Sequence, residues 1–138
     1  MVLARVGKAV DRAFDDALAA ASGTRSTWLV LLAAKSGANA SQTTIARQVG
    51  ISGPTLIHHL DRMVSAGLVV RTRDVADRRP YAVTLTAAGE AEFLRLRAVA
   101  VAFDAQLRSG LSPGQIDDLR DVLSAMRANV SQSPARRR

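Results

Sequence analysis

The stretch that decides the fold runs from Ser41 to Gly89 and reads SQTTIARQVGISGPTLIHHLDRMVSAGLVVRTRDVADRRPYAVTLTAAG. Its spacing of apolar, glycine and capping residues predicts a short helix, a tight turn, a second helix and two strands around a charged loop. These are expected at Ser41–Val49, Gly50–Ile51, Ser52–Ala66, Leu68–Arg73 and Tyr81–Leu85. A helix-turn-helix followed by a hairpin is the winged-helix arrangement, in which the second helix enters the major groove of DNA.

The second helix has two chemically different faces. At 100° per residue, one arc is apolar and is expected to point inward: Leu56, Ile57, Leu60, Met63 and Val64. The opposite arc carries hydrogen-bonding groups, with His59 and Asp61 at its borders: Thr55, His58, Arg62 and Ser65. The helix is therefore expected to pack by the first arc and to present the second.

The presented groups suit the chemistry of a DNA surface. Arginine can donate to guanine O6 and N7 or to a phosphate, and threonine or histidine can bond to base edges or phosphates. Backbone N–H groups at the Ser52 end suit a phosphate oxygen. The predicted DNA-binding residues are Ser52, Pro54, Thr55, His58, His59 and Arg62 on this helix, Arg47 on the supporting helix, and Arg71, Arg73, Asp77, Arg78 and Arg79 in the hairpin.

The positive charge is concentrated in this region. The 138 residues carry a net charge of +7, of which residues 41–82 contribute +3 and the terminal Arg136–Arg138 another +3. A basic surface on the reading element fits a polyanionic partner. Arginine at a hairpin tip can enter a narrow minor groove, so Arg78 or Arg79 is expected there, while Asp77 orients an arginine.

The remaining sequence predicts helices on both sides of this lobe. Amphipathic spacing indicates a helix at the N-terminus that ends near Ser22-Gly23, where glycine permits a left-handed cap. It also indicates a very apolar helix around Trp28–Leu32 and two after Thr86, the last with inward residues at Ile116, Leu119, Val122, Leu123, Met126 and Val130. We expect one mainly α domain with a small β-hairpin (α+β) over 1–138: a lobe at 24–89, dimerisation helices at 1–22 and 87–130, and a flexible basic tail at 131–138. A monomer whose terminal helices fold back over its own core is the alternative to a homodimer.

Other function classes find little support in the residues. The chain has no cysteine, which excludes disulfides and thiolate chemistry. His58 and His59 are adjacent and diverge by 100° on a helix, so they do not form a compact metal or acid–base site. We expect no enzyme, cofactor or metal. No apolar run is long enough to span a membrane and the N-terminus lacks a signal-peptide centre, so a cytoplasmic protein without a membrane partner is expected.

The run Leu68–Arg79, followed by Val83-Thr84-Leu85-Thr86-Ala87-Ala88-Gly89, resembles the MarR (multiple antibiotic resistance regulator) family of bacterial transcription factors. The likeness extends over nearly the whole chain. It rests most on the wing motif Asp-x-Arg (Asp77 and Arg79) and on Leu-Thr-x-x-Gly at the start of the fifth helix. The resemblance implies Arg79 as the minor-groove residue. Val75 stands where the family often has proline, and Pro80 follows Arg79, which are departures in the wing.

The resemblance also implies a homodimeric repressor that binds double-stranded DNA at an inverted repeat and releases it on binding a small, often aromatic or anionic molecule. Candidate residues for that ligand are Phe14, Trp28, Phe93 and Arg97. Two alternatives remain open from the sequence: a winged-helix protein-interaction module without DNA binding, and a winged-helix repressor of another family.

Overall fold

The computed structural model describes residues 1–37, 40–73 and 81–131. It contains six helices and two strands within these ranges, in the order α1 (Val2–Ala20), α2 (Arg25–Ser36), α3 (Gln42–Val49), α4 (Gly53–Ser65), β1 (Val69–Thr72), β2 (Ala82–Leu85), α5 (Ala87–Leu107) and α6 (Pro113–Ser131). The chain divides into two compact units, Met1–Phe103 and Asp104–Arg138. The predicted order of four helices, one hairpin and two further helices is confirmed.

The core of the first unit is built around α2. Its buried residues come from five helices, both strands and the residue Ala40 before α3, with α2 contributing the largest share: Leu18, Trp28, Val30, Leu31, Ala33, Ala34, Ala40, Ile45, Leu56, Leu60, Met63, Val69, Val83, Phe93 and Leu96. Aliphatic side chains dominate this set. Close packing of small and aliphatic residues therefore holds the first unit together, with hydrophobic burial as the main stabilising term.

Each described turn into α2, α3 and α4 is fixed by a hydroxyl cap. Thr24, Ser41 and Ser52 accept hydrogen bonds from backbone N–H groups three residues later, at 3.2, 3.2 and 3.3 Å. These bonds satisfy donors that a helix start leaves open. Gly50 adopts the left-handed conformation at φ 77° between α3 and α4, as predicted for the tight turn.

The inward face of α4 is narrower than predicted. Leu56, Leu60 and Met63 are buried, but Ile57 and Val64 each remain 42% exposed. The first three side chains lie within about 40° of one direction on the helix, whereas Ile57 and Val64 lie 80–100° to one side of it. Their inward placement was wrong because the core covers only the central strip of this face.

The end of α1 also differs from prediction. The left-handed residue is Ser22, at φ 57°, and not Gly23. Gly23 is needed for another reason, since a Cβ there would collide with the Leu96 side chain of α5. The glycine therefore lets the connection between α1 and α2 pack closely against α5.

The hairpin is a two-stranded antiparallel sheet in which Val69 pairs with Leu85 and Thr72 with Ala82. On its other edge, Ser41 forms a single antiparallel bridge with Ala82. The Val83 N–H donates to the Ala40 carbonyl at 3.1 Å, and the Gln42 N–H donates to the Tyr81 carbonyl at 3.2 Å. The hairpin is thus attached through its backbone to the start of α3.

Helix α1 is held mainly by its C-terminal half. Leu18 is its buried residue, and Phe14 packs against Phe103 of α5 with ring centroids 5.1 Å apart. Arg25, the first residue of α2, pairs with Asp15 at 2.8 Å and with Asp11 at 3.1 Å. The N-terminal residues Val2, Leu3 and Val6 are 52–65% exposed.

Helix α6 belongs to the second unit and begins with a reciprocal capping box between Ser112 and Gln115, at 2.9 and 3.2 Å. It buries none of its residues. The prediction of an inward face was wrong within the single chain because the described part of this unit, 104–131, adds only the end of α5. The apolar face is left uncovered at Leu119, Val122, Leu123, Met126 and Val130, which are 39–74% exposed. No helix in the described ranges combines the length and apolarity needed to cross a bilayer.

Candidate nucleic-acid interface

Helix α4 presents a continuous polar face. Leu56, Leu60 and Met63 fix its packing against the core, and this leaves Thr55, His58, Arg62 and Ser65 exposed on the other side. Spaced at three and four residues, these side chains follow one stripe along the helix. The structure therefore brings together the predicted base-reading residues on an accessible, hydrogen-bonding surface.

The start of α4 carries a small hydroxyl network. The Ser52 hydroxyl caps the helix and also lies 2.8 Å from the Thr55 hydroxyl, where either group can donate. Pro54 is exposed in the first turn, where its missing N–H costs nothing. Ser52 and Thr55 thus present two linked hydroxyls next to the positive end of the helix dipole, a surface that suits a phosphate oxygen.

His59 faces a different direction from His58. The two rings are 6.0 Å apart and tilted by 56°. His59 is half-buried and lines a cavity of about 240 Å³ between α4 and the start of α2. The remaining lining residues are Thr24, Ser26, Thr27, Arg62, Met63, Ala66 and Leu68. His59 therefore lies at the border of the stripe of Thr55, His58 and Arg62, and it shares this cavity with Arg62.

The hairpin arginines occupy two distinct environments. Arg73 is exposed, whereas the Arg71 side chain is only 23% exposed and its Nη1 lies 2.8 Å from Asp61 Oδ1 of α4. Both guanidinium groups lie over the Tyr81 ring, at 5.2 Å for Arg71 and 5.8 Å for Arg73. The sequence assigned no role to Asp61 and Tyr81 at this surface, because neither carries a positive charge or belongs to a recognisable motif.

Of the remaining predicted DNA-binding residues, one lies on α3 and three lie outside the described residues. Arg47 is exposed on α3, next to the turn into α4. Asp77, Arg78 and Arg79 lie outside the described residues, as do Arg136–Arg138. Among the described residues, no group of three or more histidine, aspartate or glutamate side chains is arranged to hold a metal ion.

The four predicted ligand residues do not form one cluster. Trp28 and Phe93 are both buried and stack on each other at 5.7 Å with an angle of 13°. Phe14 belongs to the separate pair with Phe103, and Arg97 is exposed on α5. Trp28 and Phe93 thus contribute to the core, and the assignment of these residues to a ligand stays a prediction.

Comparison with known proteins agrees with this geometry. The family model described as "MarR family" matches residues 24–80, which include the helix-turn-helix and β1. Among solved structures, transcriptional regulator PA3341 has 28% sequence identity and a TM-score of 0.83, and the alignment covers 96% of this chain and 97% of that one. The transcriptional repressor CouR, bound to a 23-mer DNA duplex, has 31% identity and a TM-score of 0.76, with 95% and 90% covered.

A third solved structure carries a small ligand. The MarR family protein Rv2887 of Mycobacterium tuberculosis, in complex with salicylic acid, has 26% identity and a TM-score of 0.70, with 91% of this chain and 93% of that chain covered. Each alignment extends over nearly the full length of both chains, so the likeness includes the flanking helices as well as the lobe. The chain belongs to the MarR family and has the winged-helix fold of its transcriptional regulators.

Proposed function

We propose that this protein is a homodimeric transcriptional repressor that binds an inverted repeat in duplex DNA. The observation that carries the proposal is the exposed stripe of Thr55, His58 and Arg62 on a helix whose opposite face is anchored in the core. In the major groove, a stripe of this kind meets base edges, while the Ser52 end of the helix meets a phosphate. The similarity to a repressor solved with a DNA duplex supports this assignment.

The homodimer is supported by uncovered apolar surfaces at both ends of the chain. In the first unit these are Val2, Leu3 and Val6 of α1. In the second unit, Leu119, Leu123, Met126 and Val130 recur along one face of α6 at the spacing of a helix-packing seam. Apolar faces of this kind mark association surfaces, and a two-fold dimer would give the operator its inverted symmetry.

The role proposed for the wing rests on the resemblance to the MarR family. In this proposal Arg79, oriented by Asp77, enters the minor groove next to the major-groove site of α4, with Arg78 nearby. Arg47 and Arg73, which are both exposed, contact the phosphate backbone.

The proposal includes release of DNA by a small aromatic or anionic effector. The relative solved with salicylic acid supports this ligand class. The exposed Arg97 on α5 supplies a cation for an acid group. An effector acts only through tighter binding to the form that does not fit DNA, so salicylate should weaken the DNA complex in proportion to that preference.

The decisive experiment is selection of bound sites from a random-sequence duplex library, followed by affinity measurements on the selected duplex over a salt series. The expected result is an inverted repeat whose half-site centres lie about one helical turn, roughly 34 Å, apart. Affinity should fall steeply with salt, by about 10³-fold or more between 50 and 200 mM if at least six phosphates are contacted. No enrichment, or an affinity independent of salt, would remove the proposed function.

A further inference from the structure

Arg71 is held by α4 and is not directed freely to solvent. Its Nη1 lies 2.8 Å from Asp61 Oδ1, and the two side chains belong to β1 and α4. The pair therefore connects the hairpin to the helix that carries the proposed base-reading stripe. Asp61 is 62% exposed at its side chain while Arg71 is 23% exposed, so the arginine is the partner whose position is more restricted.

Tyr81 provides the second support for Arg71. The Arg71 guanidinium lies 5.2 Å from the ring centroid, within the range of a cation–π contact. The Tyr81 main chain is anchored, because its carbonyl accepts a hydrogen bond from the Gln42 N–H at the start of α3. A carboxylate of α4 and the ring of a residue whose main chain is bonded to α3 thus both contact one guanidinium.

The same contacts make Arg71 a poor phosphate ligand. Asp61 neutralises its charge locally, and its Nε is buried with no hydrogen-bond partner among the described residues. Arg73 offers a useful contrast, since it lies over the same ring at 5.8 Å and is exposed. Two arginines of one hairpin, two residues apart, are thereby given different tasks.

We propose that Arg71 is a positioning residue, which through Asp61 and Tyr81 holds the hairpin at a fixed orientation to α4 and so sets how well the protein distinguishes its operator from other DNA. This inference rests on the proposed function. It replaces the sequence-based expectation that Arg71 itself contacts DNA. A fixed orientation matters because base contacts of one element and groove contacts of another must be made in the same register on the duplex.

The direction in which Asp61→Asn changes DNA affinity distinguishes positioning from a simple effect of charge. Replacing Asp61 with Asn removes a negative charge beside a proposed DNA surface, and charge alone predicts tighter binding to every duplex. If Asp61 instead holds Arg71, the same replacement weakens binding to the selected operator. The two explanations therefore predict changes in opposite directions.

The experiment is a double-mutant cycle with Asp61→Asn, Arg71→Gln and the combined variant, and with Arg73→Gln as the matched control from the same strand. The probes are the duplex selected by the wild-type protein and a scrambled duplex of equal length and composition. Each single variant of the pair should lower the ratio of the two affinities about fivefold or more, and the combined variant should be no worse than Arg71→Gln. Arg73→Gln should weaken both duplexes alike and reduce the salt slope by about one.

Thermal unfolding of each variant separates positioning from loss of the fold. A change of the affinity ratio at an unchanged Tm supports positioning, because a stability defect alone lowers the amount of active protein equally for both duplexes. Arg71→Lys keeps the charge but not the planar fork, so it should behave like Arg71→Gln. If Arg71→Gln fails to fold, Asp61→Asn at its exposed position carries the test alone.

Three results would overturn the inference: additive effects in the cycle, tighter binding of Asp61→Asn to both duplexes, or a uniform loss with a reduced salt slope for Arg71→Gln. The last result would restore Arg71 as a phosphate contact. If the wild-type protein selects no duplex at all, the proposed function itself fails, and this inference falls with it. A wild-type protein that binds DNA and an additive cycle would remove the inference alone.

Discussion

At the scale of single residues, Arg62 is the cation of the polar stripe on α4. It is exposed, and no carboxylate of the described residues pairs with it, so its guanidinium is available to a duplex. Arginine that donates two hydrogen bonds to guanine discriminates between bases, whereas arginine on a phosphate does not. Its neighbours on the stripe, Thr55 and His58, supply shorter hydrogen-bonding groups at the same surface.

We predict that Arg62→Ala weakens binding to the selected operator by about 1–3 kcal/mol and relaxes the preference at one base position of each half-site. Site selection repeated with the variant, together with titrations of the original operator, measures both effects. Arg108→Ala is the matched control, because it removes the same charge from an exposed arginine that pairs with Asp104 outside the lobe. Equal losses on all sequences would assign Arg62 to a phosphate.

Residue contacts within one helix could be predicted from the sequence, and contacts between elements could not. Helical spacing placed Thr55, His58 and Arg62 on one exposed face because their geometry depends only on the 3.6-residue period. The Asp61–Arg71 pair depends on how β1 leaves α4 and on where Tyr81 returns, which no local pattern specifies. Helical periodicity also does not say how wide the buried face of α4 is. Ile57 was therefore expected to point inward, although it is exposed.

At the scale of elements, the junction between the hairpin and α5 explains the Leu-Thr-x-x-Gly motif. Thr86 caps α5 by accepting from the Gly89 N–H at 3.0 Å, and its own hydroxyl donates to the Gly67 carbonyl. The Thr86 N–H donates to the Leu68 carbonyl at 3.0 Å. Gly89 lies against that same carbonyl so closely that a Cβ would collide with it. The first turn of α5 is thereby fastened to the segment that joins α4 to β1.

Gly89→Ala should therefore destabilise the protein, although alanine favours helices more than glycine does. The clash is with backbone, which cannot turn away, so we expect a loss of about 1–3 kcal/mol and a Tm lower by about 4–12 °C. Thermal and urea unfolding followed by circular dichroism measure the change. Gly53→Ala is the control, since a Cβ on the first residue of α4 meets nothing within 4 Å and should change stability by less than about 1 kcal/mol.

An unchanged Tm for Gly89→Ala would show that α5 can shift away from the hairpin at little cost. The Leu-Thr-x-x-Gly motif can be recognised in the sequence, but the close approach of its glycine to the Leu68 carbonyl cannot be predicted from it. The same holds for Gly23, expected as a left-handed cap and found to lie directly against the buried Leu96 side chain. In both cases the constraint is the distance between two elements, which becomes visible only when both are placed.

At the scale of the whole molecule, the two units differ in how much of their apolar surface they bury. The first unit has a continuous core from Leu18 to Leu96, while α6 in the second buries none of its residues. A helix with a regular apolar face and no cover gains stability by association with another surface. The sequence predicted both the apolar face and its use in a dimer.

Met126→Glu tests the dimer, because a charge buried in an apolar interface is strongly unfavourable. Met126 lies on the apolar face of α6 and is 48% exposed in the single chain. We expect the variant to shift from dimer toward monomer by sedimentation equilibrium and to lose at least about 10-fold in operator affinity, since one subunit engages one half-site. Ala128→Glu puts the same charge on the same helix about 160° away and should leave mass and affinity unchanged. If the Met126→Glu protein stays dimeric and keeps its operator affinity, the dimer interface does not include this face of α6.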